Sequence, residues 1–222
     1  LNAVLSFIII GPFFIPNKAH VEGILANRHR LQQQVEFILE IDRLKTVYRR
    51  TYLTDKSRHE NSAEHSWHIA VMALVLAEYS NEPDPDLFRV VAMLLLHDLV
   101  EIDAGDTFAY DREAQENKRE REQAAAERLF ALLPADQAEW FRSIWEEFEE
   151  RRTPEAKFAA ALDRLQPLLH NLHTRGKSWQ EHGVKKDQVI GLNRHMAEGA
   201  PDLWAYAAEW IERAVSKGDL EV

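Results

Sequence analysis

The residues whose types and spacing suggest chemistry are His97 and Asp98, adjacent in the apolar run Leu94-Leu95-Leu96-His97-Asp98-Leu99-Val100, followed by Glu101 and Asp106. Burying such groups beside Leu and Val is costly unless they are paired, hydrogen-bonded or bound to metal. On a helix, Glu101 falls four residues after His97 and three after Asp98, so all three can face one cavity. An amphipathic helix with its acids turned to water would use the same residues. The rest of the chain has to decide between the two.

Two more ionisable residues sit on apolar helical segments, His65 and Asp163. With His97 and Asp98 they make two imidazoles and two carboxylates from three segments. That donor set suits one divalent metal ion (Mn, Co, Mg, Zn, Ni or Fe) and leaves positions open for water and substrate. Each also has a plainer reading: His65 as a helix cap, Asp163 as the partner of Arg164.

The elements that must carry these residues read as helices. Val21 to Arg50 keeps helical apolar spacing and is expected to form one or two helices ending in Tyr48-Arg49-Arg50. Asn61-Ser62-Ala63-Glu64 has the form of a capping box opening a helix from His65 to Tyr79. A second buried helix is expected from Asp86 through the His-Asp pair to Ile102. Phe108 to Glu113 reads as a loop over the site, and Asn117 to Leu133 and Pro134 to Phe148 as further helices. Thr153-Pro154 opens the helix that holds Asp163, with Pro at its first position. Trp179 is expected in a loop between Gly176 and Gly183, with two C-terminal helices after it. No stretch alternates as a strand, and no Gly-rich phosphate loop or repeat is found. The chain is expected to be all-α: an apolar arm over 1–20, which falls outside the functional reading, and one domain over 21–222.

Composition narrows the partners. The 222 residues are 45% hydrophobic and 29% charged with a formal net charge of -10. That charge argues against nucleic acid and anionic membranes as partners, so an anionic substrate needs local Arg, Lys or metal. With no cysteine, thiolate catalysis and Cys-based zinc sites are excluded, and a reducing cytoplasm fits. Leu1 to Pro16 is apolar but too short for a spanning helix.

The pattern His65, His97-Asp98, Asp163 resembles the HD-domain superfamily of metal-dependent phosphohydrolases, and within it the 5'-deoxynucleotidase-type branch. The resemblance runs through Leu44-Lys45, Glu60-Asn61-Ser62-Ala63-Glu64-His65-Ser66, Leu96-His97-Asp98-Leu99-Val100-Glu101, Gly105-Asp106 and Ala161-Leu162-Asp163. It implies a single helical bundle with a C-terminal helical extension, and a metal held by His65, His97, Asp98 and Asp163. It further implies Glu101 orienting or deprotonating the attacking water, and Asp106 contacting the sugar or assisting at the leaving oxygen. An Arg on the first helix, Arg49 by helix register or Arg50 by counting back from His65, would hold the phosphate; Arg49 is preferred. The substrate implied is a small-molecule nucleoside 5'-monophosphate. Another phosphoester, such as a nucleoside triphosphate or cyclic nucleotide, or a non-catalytic nucleotide-binding role, would use the same pocket. In the branch that Arg is followed by a Trp that crowds the ribose 2'-hydroxyl, whereas Arg50 and Thr51 stand here, which puts selection for deoxyribose in question. With no His between Asp98 and Asp163, one metal is expected rather than two. His68, one turn after His65, is read as packed or as supporting a ligand rather than as a ligand itself, His170 and His173 as packed or solvated, and Lys118 and Arg119 as part of a solvated charge run. The plentiful apolar and aromatic residues outside the metal helices make a homodimer an expectation.

Overall fold

Asn61 sets the start of the helix that carries His65. Its side-chain oxygen accepts from the Glu64 N–H at 2.9 Å, and the Glu64 carboxylate accepts from the Asn61 N–H at 3.3 Å. This reciprocal pair satisfies two donors that a helix start leaves unbonded. The computed structural model describes residues 18–222, so the apolar stretch Leu1–Pro16 lies outside the described residues.

The described chain is helical apart from one small hairpin. α1 (Lys18–Ile41) ends in a 3₁₀ turn (Asp42–Thr46), and β1 (Tyr48–Tyr52) pairs antiparallel with β2 (His59–Asn61). α2 (Ser62–Leu76) and α3 (Leu87–Leu96) follow, then a 3₁₀ turn over His97–Val100 and the short α4 (Glu101–Ala104). Beyond the loop come α5 (Arg112–Gln115), α6 (Lys118–Phe130), α7 (Ala135–Glu150) and α8 (Pro154–His173). The chain closes with α9 (Lys177–Glu181), α10 (Lys186–Asn193), α11 (Met196–Gly199) and α12 (Pro201–Lys217). Among the described residues no helix is long and apolar enough to cross a membrane.

Three sequence expectations are corrected. Tyr48-Arg49-Arg50 is not a helix end: helical structure stops at Thr46 and these residues form β1. Tyr48 pairs with Asn61 and Tyr52 with His59, so the longer strand bulges between its two pairings. The helix expected through the His-Asp pair breaks after Leu96 into tighter 3₁₀ geometry, a change often found where sequence or function strains a helix. Trp179 lies not in a loop but on α9, 1% exposed.

α8 is the central element, packed against α2, α3, α7, α11 and α12. Its Phe158, Leu162 and Leu165 join Ile69, Met93, Leu94, Ile144 and Ile211 in the main core. A second cluster of Phe37, Leu44, Leu99, Val100, Leu129, Phe130 and Trp145 ties α1, α6 and α7 to the 3₁₀ turn. His97 and Asp98 therefore sit at the seam of two cores, with Leu94 anchored in one and Leu99 in the other. That anchoring holds two polar side chains in one place.

The approach of α11 to α8 is too close for a side chain. A Cβ on Gly199 would lie 2.0 Å from the Lys157 carbonyl oxygen and 2.7 Å from the Phe158 nitrogen, backbone atoms that cannot swing aside. Gly199→Ala is expected to destabilise the protein by about 3 kcal/mol, the upper range for overpacking. Thermal unfolding would register this as a fall in Tm; an unchanged Tm would show that α11 is free to lift off α8.

Candidate metal centre and its pocket

His65, in the first turn of α2, is fully buried. Its Nδ1 lies 3.1 Å from Gln166 Oε1 and its Nε2 lies 3.0 Å from Asp163 Oδ1. With Nδ1–H donating to Gln166, Nε2 keeps its lone pair for the cavity, the usual way a second hydrogen bond fixes a ligand's tautomer. His97 is arranged alike. Its Nδ1 donates to the Leu94 carbonyl at 3.0 Å, and its Nε2 faces Asp98 Oδ1 at 3.0 Å and Asp163 Oδ1 at 3.7 Å. That Nε2 is buried with no hydrogen-bond partner among the described residues.

His65, His97 and Asp98 each offer a ligand atom within 4.8 Å of the others, and Asp163 joins them through the contacts above. The four candidate ligands thus converge from α2, the 3₁₀ turn and α8. A divalent ion fits this set: two oriented imidazoles, two carboxylates and an orphaned nitrogen aimed between them. The electrostatics agree. Burial alone would lower the pKa of His97, but the Asp98 and Asp163 carboxylates outweigh it and push it up to about 10. Against the opposing effect of burial, His97 and Arg49 hold Asp98 well below the usual carboxylate range. Asp163 is likewise held low, by Arg164, His65 and His97. The cavity favours positive charge, which a divalent ion would supply.

The other sequence candidates face the same place. Glu101, 6% exposed, accepts a 2.6 Å hydrogen bond from Ser62 Oγ. Burial, reinforced by the Asp98 charge, raises its carboxyl well above the ordinary range, with Arg49 opposing. Gly105, at φ 75°, ends α4 and turns the chain into Asp106. Asp106 is raised by burial and by Asp98, again with Arg49 opposing. Arg49 donates to Asp98 Oδ2 at 2.9 Å, and its Nε lies 3.9 Å from Glu60 Oε2. Burial disfavours its charge, but Asp98, Asp106, Glu101 and Asp163 together raise its pKa above the ordinary value. Strand alternation separates the two arginines: Arg49 turns inward, whereas Arg50 is exposed at the cavity rim.

Arg49, Arg50, Glu101 and Asp106, with His97, Asp98 and Asp163, line a cavity of about 400 Å³, the size of a small-ligand site. Phe108 and Tyr110 wall it from the loop, and Phe108 packs against His182 with ring centroids 4.6 Å apart. Lys118 corrects its reading as part of a solvated run. It lines the cavity and pairs with Glu122 at 3.0 Å.

A network behind His65 went unread in the sequence. Gln166 Nε2 lies 2.6 Å from Glu60 Oε1, 3.3 Å from His68 Nδ1 and 3.2 Å from His170 Nε2. Those acceptors fix the amide so that its oxygen faces His65. The signal was present, since Asp163, Gln166 and His170 follow one another at helical spacing on an otherwise apolar face. His68 and His170 are packed, as the sequence suggested, and His173 is exposed.

A family model described as HD domain matches residues 41–204. The chain belongs to the HD-domain family. Human 5'-deoxynucleotidase HDDC2 is 30% identical over 152 residues, 68% of this chain and 72% of that protein. Its Bos taurus counterpart is 32% identical over 136 residues, 61% of this chain and 64% of that one. The crystal structure of a predicted metal-dependent phosphohydrolase from Magnetospirillum magnetotacticum MS-1 superimposes with a TM-score of 0.83 at 52% identity. It covers 87% of this chain and 97% of its own.

Proposed function

We propose that this HD-domain protein is a metal-dependent 5'-nucleotidase, hydrolysing nucleoside 5'-monophosphates to nucleoside and phosphate. The observation that carries this is a cluster of four candidate ligands, His65, His97, Asp98 and Asp163, of which the last three line a nucleotide-sized cavity together with a buried Arg and a buried carboxyl. The names of the deoxynucleotidase relatives support the substrate class.

His65, His97, Asp98 and Asp163 would hold the ion. When bound, it polarises the phosphoryl oxygens and lowers the pKa of a water. Arg49, which donates to Asp98 Oδ2 at 2.9 Å, would bind phosphate oxygens with its guanidinium fork. Glu101, held by Ser62 and poised to take a proton because its pKa is raised, accepts the proton of the attacking water. Asp106, also raised, hydrogen-bonds the sugar and can return a proton to the leaving oxygen. Arg50 and Thr51 follow Arg49 along the wall. No Trp stands at that point, so ribonucleotides are expected to turn over alongside deoxyribonucleotides.

The same reading includes a homodimer in the cytoplasm. Leu31, Ile38 and Leu39 on α1 and Trp67, Leu74 and Val75 on α2 are exposed, an apolar supply for an interface between copies. The net charge of -10 is consistent with small nucleotides rather than nucleic acid as the ligand.

The test is product analysis for ribo- and deoxyribonucleoside mono- and triphosphates and cyclic nucleotides with EDTA-stripped protein, Mn, Co, Mg, Zn, Ni or Fe being added back. Metal-dependent phosphate release from 5'-monophosphates is expected. Release of triphosphate, ring opening of a cyclic nucleotide, or silence on every monophosphate would overturn the reading.

A further inference from the structure

Arg164 and Arg151 stand on the wall of the cavity contributed by α7, α8 and the α10–α11 connection, and the metal centre has no use for both. Arg164 follows Asp163 directly, and its Nε lies 3.5 Å from Asp163 Oδ2. That Nε is buried and hydrogen-bonded to nothing among the described residues. Arg151 closes α7 in the left-handed region at φ 51°, a conformation that normally favours Gly. Its Nε is also buried and unbonded. One terminal nitrogen donates to His195 Nε2 at 3.3 Å, and His195 Nδ1 in turn donates to the Leu192 carbonyl at 3.0 Å. His195 is thus oriented to accept. Burial and the two neighbouring guanidiniums push its pKa down, which keeps it neutral.

The charge on this wall is not matched from within. Asp163 is committed to the metal centre. Lys118 takes Glu122, and Glu149, which also lines the cavity, lies within ion-pair distance of neither Arg. Two partly buried guanidiniums, each with a planar array of donors, therefore share one bond to a neutral imidazole and one contact with a metal-ligand carboxylate. Donors left unbonded in a half-buried wall are costly unless a ligand brings oxygens to them. Arg forks match phosphate oxygens bidentately. The phosphate being hydrolysed already has Arg49, which reaches Asp98 from β1.

We propose that Arg151 and Arg164, with His195 holding the Arg151 guanidinium in place, form an anion subsite for a second phosphate, so that the preferred substrates are nucleotides carrying two phosphate groups. This rests on the nucleotidase reading of the metal end. Hydrolysis there consumes one water, breaks the P–O bond to the phosphate at the metal end (an ester bond in a 3',5'-bisphosphate, the anhydride bond in a nucleoside diphosphate) and releases inorganic phosphate. The second phosphate stays on the product, bound at the Arg wall.

The experiment compares deoxyadenosine 3',5'-bisphosphate and dADP with dAMP on metal-loaded enzyme, as ratios of kcat/KM, for wild type and Arg151→Gln. A wild-type ratio of about ten or more is expected for one of the two diphosphorylated ligands, the gain expected from charge-assisted bonds to one added phosphate. The bisphosphate and dADP arms tell a sugar phosphate from a diphosphate chain. In Arg151→Gln the ratio falls to near one. A variant that merely unsettles the fold lowers both rates and keeps the ratio, and that outcome overturns the subsite. So does a wild-type ratio near one in both arms. If no ligand is hydrolysed, the nucleotidase reading fails by itself. Calorimetric Kd values for the same three ligands then decide the subsite, with tighter binding of a diphosphorylated ligand expected and its loss in Arg151→Gln. Equal Kd values for all three would refute it.

Discussion

Asp98→Asn is expected to strip the metal and cut phosphate release at least about a thousandfold, because the ion contributes several kcal/mol of charge stabilisation at the phosphoryl group. Asp98 meets two basic groups of the centre: its Oδ1 lies 3.0 Å from His97 Nε2, and its Oδ2 accepts from Arg49 at 2.9 Å. Asn keeps the shape and one acceptor oxygen but not the charge. A neutral amide cannot hold a divalent ion against water as a carboxylate does. The fold is expected to survive. Arg49 keeps Asp106, Glu101 and Asp163 around it, and the change relieves the like-charge pressure that Asp98 exerts on Glu101 and Asp106. Elemental analysis should then read little bound metal in a protein with unchanged far-ultraviolet dichroism. Full metal content with full turnover would remove Asp98 from the site.

The candidate ligands were legible because ionisable side chains on apolar helices are expensive and therefore few. Once His65, His97, Asp98 and Asp163 are picked out, the helices that carry them leave little choice but to bring them together, and α2, the 3₁₀ turn and α8 do so. Helix starts were legible for a local reason: Asn61 with Glu64, and Thr153 with Pro154, carry their capping chemistry within four residues. What could not be read was backbone geometry decided by distant packing. Tyr48-Arg49-Arg50 continues the helical spacing of α1, and only pairing with His59–Asn61 makes it a strand. The inward turn of Arg49 comes from that strand's alternation rather than from helix register. The break at His97 is invisible in the apolar pattern, which runs through it unchanged. Arg151 and Arg164 were hidden for the opposite reason. In a chain with 27 Lys and Arg, a basic residue at a helix end or beside an acid looks like any surface charge until its surroundings are known.

Glu101→Gln is expected to lower turnover by about a hundredfold to ten-thousandfold, the usual contribution of a positioned general base, while leaving the metal in place. The substitution is nearly isosteric, and a Gln carbonyl can still accept from Ser62 Oγ, which holds Glu101 at 2.6 Å. Only proton acceptance is lost. The sign of the pH dependence follows from that role. The base works ionised, so wild-type activity falls as pH drops through the Glu101 pKa. Burial and the Asp98 charge raise that pKa, Arg49 lowers it, and a bound cation adds to the lowering. The acidic limb of the wild-type pH–rate profile therefore measures this balance, and it should be missing from Glu101→Gln. Metal content separates the two variants: lost in Asp98→Asn, kept in Glu101→Gln. A Glu101→Gln enzyme that keeps both its turnover and its acidic limb would place the proton acceptor elsewhere. Asp106, the other carboxyl raised on this cavity, would be the next residue to replace.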